Sequence, residues 1–552
     1  MSMEHGVPAS WAICKLDDVL LKMSNGANVT QHEEMVGYPI CRIETIWNEG
    51  IDLGRVKYIK ENDPAFVEKY ALQYGDILLS HINSDTHLGK TGLFKNQIET
   101  LIHGINILLL RPVKDISPDF INYQLKHLRT KGAFIDAAQR AVNQSSINQK
   151  KLKSFRVFIA PLPEQHRIVA KIEELFSELD KGVEYLMTAQ AQLKVYRQAL
   201  LKHAFEGKLT VQWRVQRRAQ QSVAPAKAGG QPLNDMDSRP TPSRGLALRG
   251  NDEVGSRDDE PLETAADLLK RIQQERAQRY QQQLADWEVS GKQGSKPKSP
   301  KSLPPLTTEE LAELPELPEG WEWVKLGQVF NVYVGSTPSR KRADFWNGDI
   351  SWVSSGEVAF CRIKGTKEKI TNIGYENAST EIHPIGTIML AMIGEGKTRG
   401  QAAILDIAAA HNQNTAAIRV SESKCSSSFV YYYLVYQYEI TRKIGSGNNQ
   451  KALNKERVSD LIFPLCSIAE MDEVVRCIDE KLSIADQLDQ TITTALQQAE
   501  ALRQSILKKA FSGQLVPQDP NDEPASELLA RIKAERLASQ GNVVVRRKGG
   551  QS

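Results

Sequence analysis

The stretch AMIGEGKTRG, residues 391 to 400, joins an apolar run to glycines, a lysine, a threonine and an arginine, the residue types that hold phosphate. A Walker-type loop needs a glycine five residues before Gly396-Lys397-Thr398, and Ala391 stands there. The next residues, GQAAILDIA, read as a strand and not as an amphipathic helix. The pattern therefore predicts a glycine-rich hairpin loop that offers Lys397, Thr398 and Arg399 to a DNA phosphate or base edge, and no nucleotide site. STPSRKRADFWNGDISWVSSGEV (336 to 358) sets Arg340, Lys341 and Arg342 beside Phe345, Trp346 and Trp352. SGNNQKALNKERV (446 to 458) mixes basic residues with the amides Asn448, Asn449 and Gln450. Nearer the start, HINSDTHLGK (81 to 90) and NQSSIN (143 to 148) hold His81, Asn83, Ser84, Thr86, Lys90, Asn143 and Gln144. Amides and guanidinium groups read base edges bidentately, while lysines and small hydroxyls anchor phosphates. A solvated loop is the plain alternative at any one position; taken over both halves of the chain, DNA contact is the better expectation.

Other chemistry fails on its spacing. His81, His87 and His103 lie in one half with no matching trio in the other, so they read as loop or core histidines. The six cysteines (Cys14, Cys41, Cys361, Cys425, Cys466, Cys477) form no CxxC pair, which speaks against a disulfide framework or a zinc site and fits a reducing cytoplasm. The sole Pro-Pro pair, Pro304-Pro305, lies in a linker, so the Asn/Asp-Pro-Pro-aromatic loop of adenine methylation is missing. GxSxG and HExxH words are missing too. No catalysis and no metal are expected of this chain by itself. With 70 Lys and Arg against 67 Asp and Glu, net charge favours no partner, and any nucleic-acid surface must arise from local clustering. No apolar run is long enough to span a bilayer, and the N-terminus lacks a signal-peptide pattern, so a cytoplasmic protein is expected.

The elements that position these residues come in two copies. YRQALLKHAFEGKLT (196 to 210) and LRQSILKKAFSGQLV (502 to 516) agree at 8 of 15 positions at an offset of 306, where unrelated sequences would share roughly one. The same offset aligns NQSSINQKKL (143 to 152) with NQKALNKERV (449 to 458). It also aligns QHRIVAKIEELFSELD (165 to 180) with MDEVVRCIDEKLSIAD (471 to 486). Trp11 and Lys15-Leu16 meet Trp321 and Lys325-Leu326 at an offset of 310. LLKRIQQER (268 to 276) meets LLARIKAER (528 to 536) at only 260, so the first copy holds about 46 extra residues. They fall in a stretch rich in Pro, Gly, Ser and charge, expected to be a disordered insertion over 213–262. SGKQGSKPKSPKSLPPL (290 to 306) reads as a second linker.

Within each copy, short apolar runs such as YGDILLS, INILLLRPV and IGTIMLAMI alternate with turn residues, which predicts mixed globular domains over 1–160 and 318–463. A different rhythm follows each. Ile168, Ile172, Leu175, Leu179, Gly182, Leu186, Ala189, Leu193, Tyr196 and Leu200 step by four and three, a heptad seam with a soft spot at Gly182. Val475, Ile478, Leu482, Ala485, Ile492, Leu496 and Ala499 keep it in the second copy, with Asp489 a polar interruption. Long helices are expected within 161–212 and 464–516, bounded by prolines and by Gly207 and Gly513. Each would expose its apolar stripe alone, so the two are expected to pair antiparallel; two ordinary amphipathic core helices are the alternative. A helix with a linker is expected over 263–317, and a C-terminal helix with a disordered tail over 517–552.

Two variable domains, each opening on a Trp and Lys-Leu word, with PLPEQ closing the first and the LRQSILKKAFSGQLV word ending the second helix, resemble the specificity subunit of a type I restriction-modification enzyme. The resemblance covers nearly all of the chain except the insertion and the tail GNVVVRRKGGQS. It implies an α+β fold with a pseudo-twofold internal repeat: two mixed α/β target recognition domains separated by an antiparallel coiled coil. It implies that each domain reads one half of an asymmetric bipartite site in double-stranded DNA. Two modification (methyltransferase) subunits and two restriction subunits would bind, and S-adenosylmethionine, ATP and Mg2+ would belong to those partners. Rivals from other classes are a coiled-coil adaptor without a fixed DNA motif, and an autonomous nuclease or methyltransferase.

Overall fold

A computed structural model describes residues 3–4, 6–47, 50–61, 63–141, 144–223, 263–292, 296–297, 299–300, 302–394, 396–443 and 453–548. Its contacts divide the chain into two units, 1–189 with 490–552, and 190–489. The first unit thus joins the two ends of the sequence.

In the first unit, strand Ala12–Lys15 pairs antiparallel with Arg156–Ile159, closing the globular domain at its ends. Its main sheet runs Thr91–Leu93, Ile77–Ser80, Ile107–Pro112, Leu20–Asn25, all antiparallel. The central strands read as unbroken apolar runs because both faces are covered. Ile77, Leu79, Leu108 and Leu110 face a core that includes helix Pro118–Thr130, whereas Leu78, Ile107 and Leu109 face Cys41, Ile46 and Phe94. Ser117 caps that helix by accepting from the Phe120 N–H, with Pro118 in its first turn.

The second unit repeats this plan. Strand Glu322–Lys325 pairs with Ile462–Leu465, and a five-stranded sheet runs Asn331–Val334, Thr415–Arg419, Ile388–Ala391, Ala402–Leu405, Cys361–Ile363. Ile388, Leu390, Ile404 and Ile418 face one core; Met389, Ala403, Leu405 and Ala417 face the other.

The long helices span Leu162–Phe205 and Ile468–Ala510. In the second unit Gln190 donates to Asp489 at 3.1 Å and Arg197 to Asp486 at 2.5 Å, so rising numbers on one helix meet falling numbers on the other. The pairing is antiparallel, and the polar interruption at Asp489 has a polar partner. In the first unit Arg503 pairs with Asp180, and Leu179, Gly182 and Leu186 border an apolar hollow with Ala495, Ala499 and Leu502. An added Cβ at Gly182 would touch nothing within 4 Å. The seam does not serve the helix pair alone. Ile168 and Ile172 belong to the core of the first domain, Leu175 packs against it, and Ile478, Val475 and Leu482 stand likewise to the second. Leu200 and Ile492 are buried, whereas Leu193 and Leu496 are half-buried.

The repeated words lie where each helix enters the other copy's globular domain. Phe205, 2 % exposed, ends the first helix against Phe429, Tyr433 and Tyr436 of the second domain, with ring centroids 5.2, 5.0 and 5.8 Å away. Phe511, 3 % exposed, follows the second helix and packs against Phe120 and His127 of the first domain at 5.3 and 5.5 Å. Gly207 and Gly513, at φ 66° and 69°, then reverse the chain in the left-handed region beside Pro318 and Pro8. In each copy a further helix, Ala265–Val289 or Ala525–Lys548, docks alike. Ala265 N–H donates to the Gly320 carbonyl and Ala525 N–H to that of Ser10, both at 2.9 Å. Leu268 and Ile272, or Leu528, Leu529 and Ile532, fill the core. Arg276 donates to the carbonyls of Gly327 and Gln328, and Arg536 to that of Leu20.

The copies differ at one buried carboxylate. Glu164 accepts from Trp11 Nε1 at 3.1 Å, whereas its counterpart Glu470 is taken by Arg214 and by Thr210 Oγ1, leaving Trp321 Nε1 without a partner among the described residues. Arg214 belongs to a helix, Val211–Val223, formed where the sequence suggested the start of a disordered insertion. Basic and acid-free, this segment is held by Arg214–Glu470 and Arg218–Glu319; residues 224–262 lie outside the described residues. The last helix runs Ala525–Lys548, further into the tail than the composition suggested.

Truncating Phe511 to alanine should cost about 3–5 kcal/mol of the isolated chain's stability, against less than about 0.5 kcal/mol for exposed Tyr185. Chemical denaturation of the two variants checks this; equal, small effects would mean the word has no role in the chain's own core. Burial also lowers the ring pKa of His103 and His411 from 6.5 to about 4. Each stays neutral in the fold, so its contribution is complete above about pH 6.5 and is lost as pH falls toward 4. Burial raises Glu164 and Asp472, which act with the opposite sign. The comparison is therefore with the His103→Gln and His411→Gln variants, whose urea midpoints should fall less than the parent's between pH 7 and 5.

Candidate nucleic-acid interface

In the first domain the fold joins the two polar stretches singled out in the sequence. Ile82–Asn83 pairs with Gln144–Ser146, placing Asn83 opposite Ser145, and Gln139–Ala141 completes a three-stranded sheet. Asn83 Nδ2 donates to Ser80 Oγ at 3.2 Å, Ser84 and Thr86 share a hydroxyl hydrogen bond of 3.1 Å, and Ser145 Oγ donates to Asp85. Arg129 holds the loop from the helix behind it, donating to the carbonyls of Thr86 at 2.8 Å and Leu88 at 3.2 Å. Ser84, Thr86 and Gln144 are exposed. His81 is buried, and burial lowers its pKa to about 4, so it is a neutral ring beneath the loop and not a surface contact. Asn143 lies outside the described residues.

The second domain builds the same loop from other residues. Gly89 N–H donates to Ser80 and Gly400 N–H to Ala391, each at 2.8 Å, while Ser80 and Ala391 donate back to Lys90 and Gln401, each at 2.9 Å. Gly89 and Gly400 both take positive φ, 75° and 84°, to make the reversal. The loop of Lys397, Thr398 and Arg399 thus matches that of Thr86 and His87 at an offset of 311. Ala402–Leu405 follows as a strand paired with Ile388–Ala391, a hairpin and not a phosphate-loop helix. Tyr438 donates to the Lys397 carbonyl at 2.5 Å and Arg442 to that of Gly396 at 2.7 Å. Arg399 donates to the Arg442 carbonyl at 2.8 Å, so its half-buried guanidinium helps to build the loop, while Lys397 is exposed. Asn448, Asn449 and Gln450 lie outside the described residues.

Arg340, Lys341 and Arg342 stand apart from that loop in sequence, beside the sheet that pairs Trp346–Val353 with Glu368–Ile370. Arg340 lies 3.9 Å above the Trp346 ring with both terminal nitrogens on Glu368, which it holds below its usual carboxylate pKa. Arg342 is paired with Asp344 at 2.8 and 2.6 Å. All three side chains are exposed, but the two arginines already have internal carboxylate partners. Sequence reading missed Arg140, exposed on the strand beside Gln144 and only three residues before NQSSIN, where the run of polar residues was the available signal. It also missed Trp47 and Arg55, which no spacing in the sequence connects. Among the described residues no group of three or more His, Cys, Asp or Glu could hold a metal ion, and no helix is long and apolar enough to cross a membrane.

Comparison with known proteins places this geometry. The putative type I restriction enzyme MjaX specificity subunit of Methanocaldococcus jannaschii is 38% identical over 203 residues, 36% of this chain and 48% of that protein. The type I restriction enzyme EcoKI specificity subunit of Escherichia coli is 28% identical over 202 residues, 36% of this chain and 43% of that one. The matches thus span about half the length of these relatives. A chain solved in a study of complex assembly and conformational transition of the type I R-M system is similar in fold, with a TM-score of 0.59 at 15% identity, over 92% of this chain and 99% of its own. Residues 8–185 and 318–504, covering both globular domains and most of both long helices, match the type I restriction modification DNA specificity domain, and the chain belongs to that family.

Proposed function

We propose that this chain is the DNA-specificity subunit of a type I restriction-modification complex, required for both adenine methylation and restriction. Each globular domain reads one half of an asymmetric bipartite target in double-stranded DNA. The observation that carries this reading is the pair of loops 81–90 and 391–400: one backbone closure, two different sets of side chains. A homodimer would present identical heads and so favour a palindromic site, whereas a duplicated chain keeps twofold geometry and lets the halves differ. The polar, exposed content of both loops suits phosphate and base-edge contact.

The same symmetry suits two modification subunits, one for each half of the target, joined by two restriction subunits for cleavage. S-adenosylmethionine, ATP and Mg2+ are assigned to those partners, and this chain contributes recognition without catalysis. The helices Leu162–Phe205 and Ile468–Ala510 are proposed to set the spacing of the half-sites, because each follows one globular domain and the two run antiparallel.

Mapping methylated adenines genome-wide tests the reading. Deleting this gene in a strain with intact partner subunits should remove one bipartite motif; an unchanged methylome overturns it. Removing one heptad from each helix shortens the pair by about 10 Å at 1.5 Å per residue, or about three base pairs of 3.4 Å. The preferred spacer should contract accordingly, and a variant that methylates with the parent spacing refutes the helical spacer.

A further inference from the structure

The first domain holds an arginine whose position is fixed and whose fork is open. Arg55 ends the turn Leu53–Arg55, beside the hairpin of Ile46–Trp47 and Gly50–Ile51. Its guanidinium carbon lies 3.7 Å above the Trp47 ring, and its Nε donates to Asp52 Oδ2 at 2.9 Å. Asp52 is fixed in turn, for its other oxygen accepts from the Gly54 N–H at 2.9 Å. Beneath them Thr45, fully buried, accepts the Asp52 N–H through its carbonyl at 2.9 Å and donates its hydroxyl to the Arg55 carbonyl at 3.0 Å. Backbone and stem are thus both held, while Nη1 and Nη2 meet no acceptor among the described residues. The side chain is 41% exposed, and Trp47 beside it 42%.

This cluster adjoins the candidate loop. Lys90, which closes the loop 81–90, lies 5.8 Å from the Trp47 ring on its own account. The hairpin packs on strand Thr91–Leu93, so closely that a Cβ on Gly92 would come within 3.0 Å of the Gly50 carbonyl. Three other arginines of the domain are engaged through their terminal nitrogens, Arg111 with Asp76, Arg129 with the loop carbonyls and Arg42 with Glu44, while exposed Arg140 and Arg156 have neither a ring nor a carboxylate to orient them among the described residues. In the second domain Arg340 gives both terminal nitrogens to Glu368. Arg55 instead presents its carboxylate partner only with Nε, which orients the guanidinium and leaves its outer edge for a ligand.

We infer that Arg55, held by Trp47 and Asp52, reads a guanine edge in the half-site met by the first domain, an inference that rests on the proposed DNA-recognition function. Guanine offers O6 and N7 as a pair of acceptors in the major groove, the pairing that a planar two-donor edge fits. Stacking on the indole and anchoring by Asp52 remove most of the rotamer freedom that binding would otherwise cost. A lysine at this position would keep the positive charge but lose the fork.

The test maps methylated adenines in cells that express the partner subunits with the parent chain, no chain, Arg55→Lys, Arg55→Ala or Trp47→Phe. Arg55→Lys should accept other bases at one G·C position of one half-site, with discrimination there falling on the order of ten- to a hundredfold, and leave the other half-site unchanged. Trp47→Phe, which keeps a ring under the guanidinium, should weaken the same position less. A thermal unfolding midpoint equal to the parent's shows that the Arg55→Lys chain is folded. An Arg55→Lys methylome identical to the parent's overturns the inference, as does an Arg55→Ala variant that loses methylation evenly at all sites, which would make Arg55 a phosphate anchor. If removing the chain leaves the methylome unchanged, the proposed function itself fails, and that result is distinct from a failure at Arg55 alone.

Discussion

The fold depends on two phenylalanines that leave their own copy. Phe205 and Phe511 each sit at the end of a long helix and fill an aromatic socket in the other copy's globular domain, against Phe429 or Phe120 and against Tyr436 or His127. The partners stand 309 residues apart, so the sockets are the same site built twice. Burying a phenylalanine contributes roughly 1.5–3 kcal/mol from area alone, and the packing of rings adds to it. Because the second socket is filled from near the end of the sequence, the first domain is completed only when residues 506–532 arrive. Each domain's core is therefore shared between segments distant in sequence, and the words that carry Phe205 and Phe511 cannot drift without loss of stability.

That sharing also explains why two polar features recur behind the sockets with different chemistry. Glu164 and Glu470 occupy matching places at the start of the long helices, and each needs donors to remain buried as a carboxylate. Trp11 and Gln518 supply them in the first copy. In the second, the additional helix Val211–Val223 brings Arg214, and the indole of Trp321 has no hydrogen-bond partner among the described residues. A buried pair of opposite charges stabilises little beyond what it costs to desolvate. Its effect here is positional, tying the extra helix to the unit that contains Glu470. The sequence insertion thus begins as an ordered element with its own anchor, which no composition rule could have shown, since Val211–Val223 is as polar as the stretch that follows it.

Much of the architecture was legible because it is periodic. A 306-residue offset, two heptad seams and apolar runs of strand length each bear on one level of structure, and they agree. The heptad spacing points to a helix-pairing surface throughout, yet Ile168, Ile172 and Ile478 face the globular cores. Periodicity reports that a stripe is buried and is silent on what covers it. The two candidate loops are legible for a different reason, as turns rich in groups with no core to enter. Their joining of 81–90 to 143–148 was not, since strand pairing across 60 residues leaves no local mark. Least legible were the arginines. Arg340 and Arg342 stand in an obvious basic cluster, but their carboxylate partners take up the groups that would read a base. Arg55 stands in no cluster, yet it is held by a ring and a carboxylate with its outer edge open.

The contrast between Arg340 and Arg55 bears on how such a domain can diverge. The loops share a closure made only of backbone groups, Gly89 with Ser80 and Gly400 with Ala391, so side chains between them can change without altering the reversal. What must stay fixed is the support: Arg129 in one domain, Tyr438 and Arg442 in the other, all donating to loop carbonyls, with the half-buried Arg399 side chain of the second loop adding its own bond to the Arg442 carbonyl. A loop held by its carbonyls tolerates replacement at every position that faces outward. Under the proposed function, this is the physical condition for changing a recognised base without disturbing the core, and it holds separately in each domain, because the supports named for each loop lie in that loop's own unit.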